Sequence, residues 1–400
     1  MLGAGLFQLS GIARALQLGL EVVTVDNVPT NPGHRLAHRA VDLSTTDVAG
    51  VVRLASELSV DGIVTFSSDV AVEAVAAVRE ELGLPGPTLR SVRLLSHKAR
   101  FRRLQYDHGI THPAFTVVPP DVALEGVGLA DLPDAVVVKP ADSSGSRGVT
   151  ILREANPDAV YRAIGRARER SRSGEVVVEG LLRGTEVGGD AFLRAGRLEC
   201  LFITEKRLNG VWVDGHCYPN PSVTDRQTRV IALEIERCCQ AAGLDDGPIN
   251  FDVMVDGMKA VVIEMSPRTG GNGIPRVIDA VEGVDLEERS ILHGLRAAPS
   301  SRRTSGLDRS GSTRAVSRVL TSAIGGVVAE VADPNTLLSS ERRLQEVWLA
   351  ARPGDVLSVR DGRPQPFALV IFRLDRAEDE PTRWEFEDLV RLRSEPNVHE

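Results

Sequence analysis

The sequence predicts a multidomain protein of mixed α/β and α+β class that opens with a doubly wound parallel sheet. Its 400 residues exceed what one hydrophobic core usually organises, so several domains are expected. Over residues 1–85, strand-sized apolar runs alternate with helical patterns, the arrangement of parallel β–α units. Farther on, short strands succeed one another through turns, and a polar stretch over 297–313 marks a loop or linker.

In order, Met1-Leu-Gly-Ala-Gly5 reads as the tail of a first strand and its turn. Most of that strand is missing, so the start is expected to be truncated or assigned too late. A helix through Ile12–Leu18 leads to a strand over Glu21–Asp26. A second strand, Gly62–Phe66, runs into Ser67-Ser68-Asp69 and the alanine-rich helix Val70–Leu82. A helix over Ser91–His108 follows, then strands at Phe115–Val118 and Ala135–Pro140. The loop Ser143–Gly148 enters a strand at Val149–Leu152, and the helix Pro157–Ser171 leads to a strand at Glu175–Glu179. Strands at Glu186–Leu193, Leu198–Thr204 and across Asn250–Met265 surround a helix at Asp225–Ala242. The segment 314–400 holds short strands and a helix near Glu385–Leu392.

Composition excludes several classes. A net charge of −8 argues against general nucleic-acid affinity, which needs a basic surface. No apolar run approaches the roughly 18–20 residues of a membrane span, and no signal peptide is visible. Cys200, Cys217, Cys238 and Cys239 lack metal spacing and read as reduced thiols, so a cytoplasmic enzyme is expected. Against 43 arginines the chain keeps four lysines, Lys98, Lys139, Lys206 and Lys259. A retained lysine can mark a place where a compact ammonium, not a planar fork, is required, although chance survival explains a single one equally well.

Four constellations carry chemistry. Gly3-Ala-Gly5 suggests a dinucleotide turn, but the third position of that fingerprint is Gln8, so a nicotinamide enzyme is disfavoured. Lys139 ends an apolar strand just before the small-residue loop Ser143–Gly148, whose N–H groups can cover a polyphosphate while lysines supply point charge. Lys98, on the helix upstream, can reach the same phosphates; an ordinary turn beside a surface lysine is the alternative. Glu179 and Glu186 flank a strand-to-turn segment suited to an adenine edge and a ribose, or to a plain connection. Last, a hairpin about Asp256-Gly257 carries Asp252 and Glu264, hard oxygen donors of the kind Mg²⁺ takes beside phosphates. With a two-residue turn these acids would face opposite sides of the sheet, so an odd-length loop with a left-handed Gly257 is expected.

Taken in this order, over roughly residues 2–296, the features resemble the ATP-grasp superfamily with its preceding nucleotide-fold domain. The resemblance implies a Rossmann-like domain over 1–90. Linker helices and the small ATP-grasp subdomain follow over 91–182, then the large α+β subdomain over 183–296 and a small α+β lid over 314–400. It assigns Lys98 and Lys139 to ATP phosphates and Ser143, Ser144, Gly145, Ser146 and Gly148 to the lid loop. Glu179, Gly180 and Leu182 match the adenine hinge, Glu186 the ribose acid, and Asp252 and Glu264 the Mg²⁺ or Mn²⁺ ligands. Arg268, four residues after Glu264, matches the arginine beside the reacting phosphate and acyl group. Ser266 departs from the family's asparagine and would be the third metal ligand.

Gly325-Gly326-Val-Val and Arg352-Pro-Gly354-Asp-Val resemble the C-terminal part of biotin carboxylase-like and L-amino acid ligase-like members. With no biotin-accepting module visible, the resemblance points to an amino-acid or related carboxylate–amine ligase. Such an enzyme forms an acyl phosphate and then an amide or peptide bond, releasing ADP and phosphate. The partners are then small carboxylate and amine substrates, with a homodimer the usual habit of relatives. An ATP-dependent carboxylase-type enzyme and a non-catalytic ATP-binding relative stay open.

Overall fold

The computed structural model describes residues 1–122, 133–209, 212–297, 313–322, 325–360, 363–375 and 390–393. The first unit comprises α1 (Leu9–Gln17), β1 (Val23–Val25), β2 (Arg39–Val41), α2 (Val48–Leu58) and α3 (Val72–Leu82). β1 and β2 pair in parallel, and Leu2 bridges in parallel to both Val25 and Thr65. The expected strand at Gly62–Phe66 is extended chain held by bridges at Thr65 and Phe66 rather than a full ladder. Leu2, Val25, Val51, Ile63, Val75 and Val78 form its core. Gln8 explains the failed dinucleotide fingerprint: its amide donates to Phe66 O at 2.6 Å and accepts from Gly5 N at 2.9 Å, filling the turn.

The helix expected over Ser91–His108 is two, α4 (Leu89–Leu95) and α5 (Lys98–Asp107). Ser96 Oγ turns back onto Val92 O at 2.7 Å and His97 is extended, which ends α4 and places Lys98 at the first position of α5. A four-stranded antiparallel sheet follows, made of β3 (Phe115–Val118), β4 (Val136–Pro140), β5 (Thr150–Leu152) and, after α6 (Pro157–Arg170), β6 (Val176–Gly180). Its order is β3-β6-β4-β5. The inward valines pack on Val160, Ala163 and Ile164 of α6, whose start Asn156 caps.

The largest sheet has eight strands. It uses β7 (Thr185–Arg194), β8 (Arg197–Asn209), β9 (Trp212–Tyr218), β10 (Gly247–Asp256) and β11 (Lys259–Ser266), with α7 (Asp225–Ala242) packed behind. α8 (Ile274–Glu282) and α9 (Leu286–Gly294) precede β12 (Thr313–Thr321), β13 (Gly326–Val331), α10 (Pro334–Ser340) and β14 (Leu344–Leu349). Strand order is β11-β10-β7-β8-β9-β12, then Pro366–Asp375, then β14. α7 lies where its pattern put it, opened by a Thr224–Gln227 capping box and closed by left-handed Gly243. β9, α8 and α9 were not expected from the sequence, although Ile274, Val277, Ile278 and Val281 of α8 carry the helical period.

The helix expected near Glu385–Leu392 is corrected at its end. Residues 385–389 lie outside the described residues, and Val390–Arg393 is a strand paired with β13. Its alternation of Val, Arg, Leu and Arg has the strand period of two. The linker expected over 297–313 falls almost wholly outside the described residues. The two C-terminal motifs meet: Val328 N donates to Asp355 O and Gly354 N to Val328 O, each at 2.8 Å. None of the four cysteines is in a disulfide, and three are buried. Among the described residues no helix is long and apolar enough to cross a membrane.

Candidate active site

Lys98 gains its place from the break between α4 and α5. Its backbone N–H donates to Ala141 O at 2.7 Å, which ties the start of α5 to the end of β4. The side chain then donates to Ser143 O at 2.8 Å and lies 3.3 Å from Glu264 Oε2. One ammonium therefore touches the small-residue loop and one acid of the hairpin. A small cleft opens here, lined by Asp69, Lys98, Ser143, Ser144 and Glu264 among others.

The loop itself is strongly turned, with Gly145, Ser146 and Gly148 all at positive φ. Ser146 is the strained member, since a residue with a Cβ rarely adopts that conformation. Asp142 anchors the loop by accepting from Ser171 Oγ, Arg172 N and Ser173 N at 2.8–2.9 Å. Burial would raise the Asp142 carboxyl, but these donors hold it below the usual range.

Lys139 points from β4 to Glu179 on β6, with Nζ 2.8 Å from Oε2. Glu179 is 2% exposed and also faces Arg102, whose Nε lies 2.9 Å from Oε1. Burial pushes this carboxyl up, yet the two cations outweigh it and hold it at about 2. The Glu179 side chain is thus committed to Lys139 and Arg102. Gly180 N and Leu181 N are already paired, at 2.8 and 2.9 Å, with Ala114 O and Ala135 O. Leu182 follows directly, beyond the end of β6.

Glu186, half-exposed on β7, bonds to Lys206 of β8 at 2.5 Å, and Lys206 also lies 2.7 Å from Asp252 Oδ1. Burial would lower the Lys206 ammonium, but Asp252 and Glu186 outweigh it and raise it. Burial raises the Asp252 carboxyl, with Lys206 pulling against that and the nearby Glu186 and Glu264 charges adding to it.

Asp252 and Glu264 stand directly opposite each other across β10 and β11. The route differs from the expected one. Gly257 is left-handed, but the turn has two residues, and a bulge between Asp252 and Val253 restores the pairing. The two carboxylates are each about one-third exposed. They fit a divalent cation that takes its remaining oxygens from a polyphosphate. Among the described residues no cluster of three or more His, Cys, Asp or Glu could hold a metal alone. Ser266 shares the Glu264 face of its strand but is 3% exposed, with its hydroxyl near the Asp69 carboxylate.

Arg268 is 7% exposed and fully engaged. Nε and Nη2 donate to Asp69 Oδ1 at 2.9 and 2.5 Å, and Nη1 donates to Asn250 Oδ1 at 2.7 Å. The loop that follows is welded to the first unit, since Ser67 N donates to Thr269 O and Ser67 Oγ to Gly270 O. Asp190, fully buried, accepts Gly270 N with both oxygens at 2.8 and 2.9 Å, and burial lifts its carboxyl to about 6. A Cβ on Gly270 would lie 2.7–2.8 Å from the Asn250 amide and Asp190, so only glycine fits.

Asp69, Arg102, Asp190, Asn250 and Lys206 were not singled out as site residues from the sequence. Lys206 had a readable signal in the scarcity of lysine. His216 is 3% exposed on β9 and bonded to Thr204 Oγ1 at 2.8 Å, a packed strand residue.

Residues 132–276 match the ATP-grasp domain family, and residues 12–86 match the ATP-grasp N-terminal domain family. Formate-dependent phosphoribosylglycinamide formyltransferase of Burkholderia vietnamiensis is 34% identical over 315 residues, 75% of this chain and 76% of that protein. An uncharacterized protein of Sinorhizobium fredii is 30% identical over 220 residues, 53% of this chain and 44% of that protein. The L-amino acid ligase of Bacillus licheniformis has a similar crystal structure, with a TM-score of 0.74 at 18% identity. That match covers 93% of this chain and 92% of the ligase and shows a shared fold.

Proposed function

The chain belongs to the ATP-grasp family, and on that premise we propose that it is an ATP- and Mg²⁺-dependent carboxylate–amine ligase working through an acyl phosphate. One observation supports this most. Lys98 contacts the loop at Ser143 and the acid Glu264 at once, so the loop, the phosphate lysine and the metal hairpin converge on a single cleft.

In this reading Lys98 and Lys139 neutralise ATP phosphates. Ser143, Ser144, Gly145, Ser146 and Gly148 cover them with backbone donors, and the segment Glu179–Leu182 borders the adenine while Glu186 takes the ribose hydroxyls. Asp252 and Glu264 would hold Mg²⁺, which would supply positive charge against the charge developing on the phosphate oxygens. A carboxylate is a poor electrophile, and transfer of the γ-phosphoryl group to one of its oxygens supplies a leaving group. Two anions must approach for that step, so catalysis is largely positioning and charge neutralisation. Arg268, held rigid by Asp69 and Asn250, supplies positive potential there. An amine then attacks the acyl carbon and expels phosphate, forming the amide bond.

The relatives join different acids and amines, so the pair used here is a matter for experiment. A screen of carboxylic and amino acid pairs for ADP release, with mass analysis of the products, tests the reading. ADP release that needs both an acid and an amine supports it. Release that needs bicarbonate, or none with any pair, counts against it.

A further inference from the structure

Arg102 is 1% exposed, one helical turn beyond Lys98 on α5, and it reaches two parts of the site at once. Nη2 donates to Ile263 O at 2.7 Å and Nη1 lies 3.4 Å from Val262 O. Nε lies 2.9 Å from Glu179 Oε1. Gln105, on the same helix, donates to Val262 O at 3.0 Å and accepts from Arg102 Nη1 at 2.8 Å.

Ile263 is the residue that matters for register. Asp256 pairs with Lys259 and Val253 with Val262, so an unbroken ladder would pair Asp252 with Ile263. Glu264 would then point to the opposite face from Asp252. The extra residue Ile263 resets the pairing so that Asp252 meets Glu264. A bulge interrupts the ladder locally, and a buried carbonyl freed from it needs another donor. Arg102 and Gln105 supply donors to both carbonyls beside the bulge. The same guanidinium balances Glu179, which fixes Lys139.

We infer that Arg102 is a positioning residue that sets the facing of the Asp252–Glu264 pair. The inference rests on the reading of those two residues as metal contacts. Arginine suits the task because its planar fork carries five donors in fixed directions, whereas a lysine balances Glu179 but cannot also grip the bulge.

The test compares Arg102→Lys with the wild type by calorimetric titration of ADP, with and without Mg²⁺. Metal-free ADP affinity is expected to stay within about 2-fold, because Glu179 and Lys139 remain paired. The gain in affinity that Mg²⁺ confers is expected to fall about 10-fold, the size of one misplaced ligand contact. Amide hydrogen exchange at Val262–Glu264 should quicken at the same time. Gln105→Met, a milder change, should reduce the Mg²⁺ gain about 2- to 3-fold and decides the matter if Arg102→Lys does not fold. Asp252→Asn and Glu264→Gln serve as references, and both should abolish the gain. A full Mg²⁺ gain in Arg102→Lys, or in Gln105→Met where only it folds, overturns the role of Arg102 provided the references lose theirs. References that keep the gain overturn the metal assignment itself.

Discussion

Asp69 and Arg268, 199 positions apart in the chain, are joined through one carboxylate oxygen that accepts from both Nε and Nη2 of the guanidinium. Burial works against the Asp69 charge, but Arg268 and its other neighbours hold the carboxyl below its usual range, so the pair stays ionic. The first unit thereby fixes an arginine just beyond the second strand of the hairpin. Arg268→Ala is expected to lower turnover about 10²- to 10³-fold with little change in ATP binding, the loss of one transition-state contact. Asp69→Ala leaves the charge but frees its direction, and should lower turnover about 10-fold with KM for ATP unchanged. Steady-state kinetics of the two variants check both values, and an Asp69→Ala enzyme of normal turnover would separate Asp69 from the site.

Lys139 is 12% exposed, with its ammonium on Glu179. A guanidinium is broader and flat, so Lys139→Arg cannot keep that contact and still present charge to a phosphate. Loss of one charged hydrogen bond corresponds to about 1.5–3 kcal/mol, so ATP affinity should fall roughly 10-fold or more in Lys139→Arg. Equal affinity in that variant and the wild type, measured by titration, would show that the scarcity of lysine carries no meaning here.

Lys206 holds Glu186 and Asp252 together from a largely buried position. Lys206→Met leaves three facing acids without that cation. Because Glu186 is half-exposed, the expected destabilisation is only about 1–2 kcal/mol in the absence of divalent ions. Mg²⁺ should raise the melting temperature more in this variant than in the wild type, since a bound ion replaces the missing charge. Identical responses to Mg²⁺ in thermal melts would mean that Lys206 and the metal do not share these acids.

His216 is buried and neutral, with burial and then Lys206 lowering its pKa from 6.5 to about 3. A depressed folded value means the unfolded chain binds the proton more tightly. Its contribution to stability is therefore complete above pH 6.5 and lost as pH falls toward 3. His216→Gln keeps a polar partner for Thr204 and removes this titration. Denaturant midpoints measured from pH 7 to pH 4 should fall less steeply in the variant. An equally steep fall would place the acid sensitivity elsewhere.

The chain announces its site residues best where chemistry is local. α7 was legible because cap, apolar stripe and closing glycine lie within one stretch, and Lys139 because an apolar strand ends in it. Glu264 was legible for the same reason. The bulge at Ile263 was not, since turn length alone suggested an odd loop, and the extra residue is held by Arg102 from 161 positions away. Arg102 follows Phe101 and precedes Arg103, and nothing in that run separates a buried arginine from a surface one. Asp69 was read only as the end of a strand turn, and its meaning depends on Arg268. Glu179 was read as a hinge residue, whereas its carboxylate balances two cations that come from separate elements.

The central claim is that the acid is activated as an acyl phosphate, and trapping that species tests it most directly. The enzyme is supplied with ATP, Mg²⁺, the acid identified by screening, and hydroxylamine in place of the amine. Mass analysis should find the hydroxamate of that acid together with ADP and phosphate in equal amounts. AMP and pyrophosphate in their place would mean an adenylate intermediate and would contradict the account.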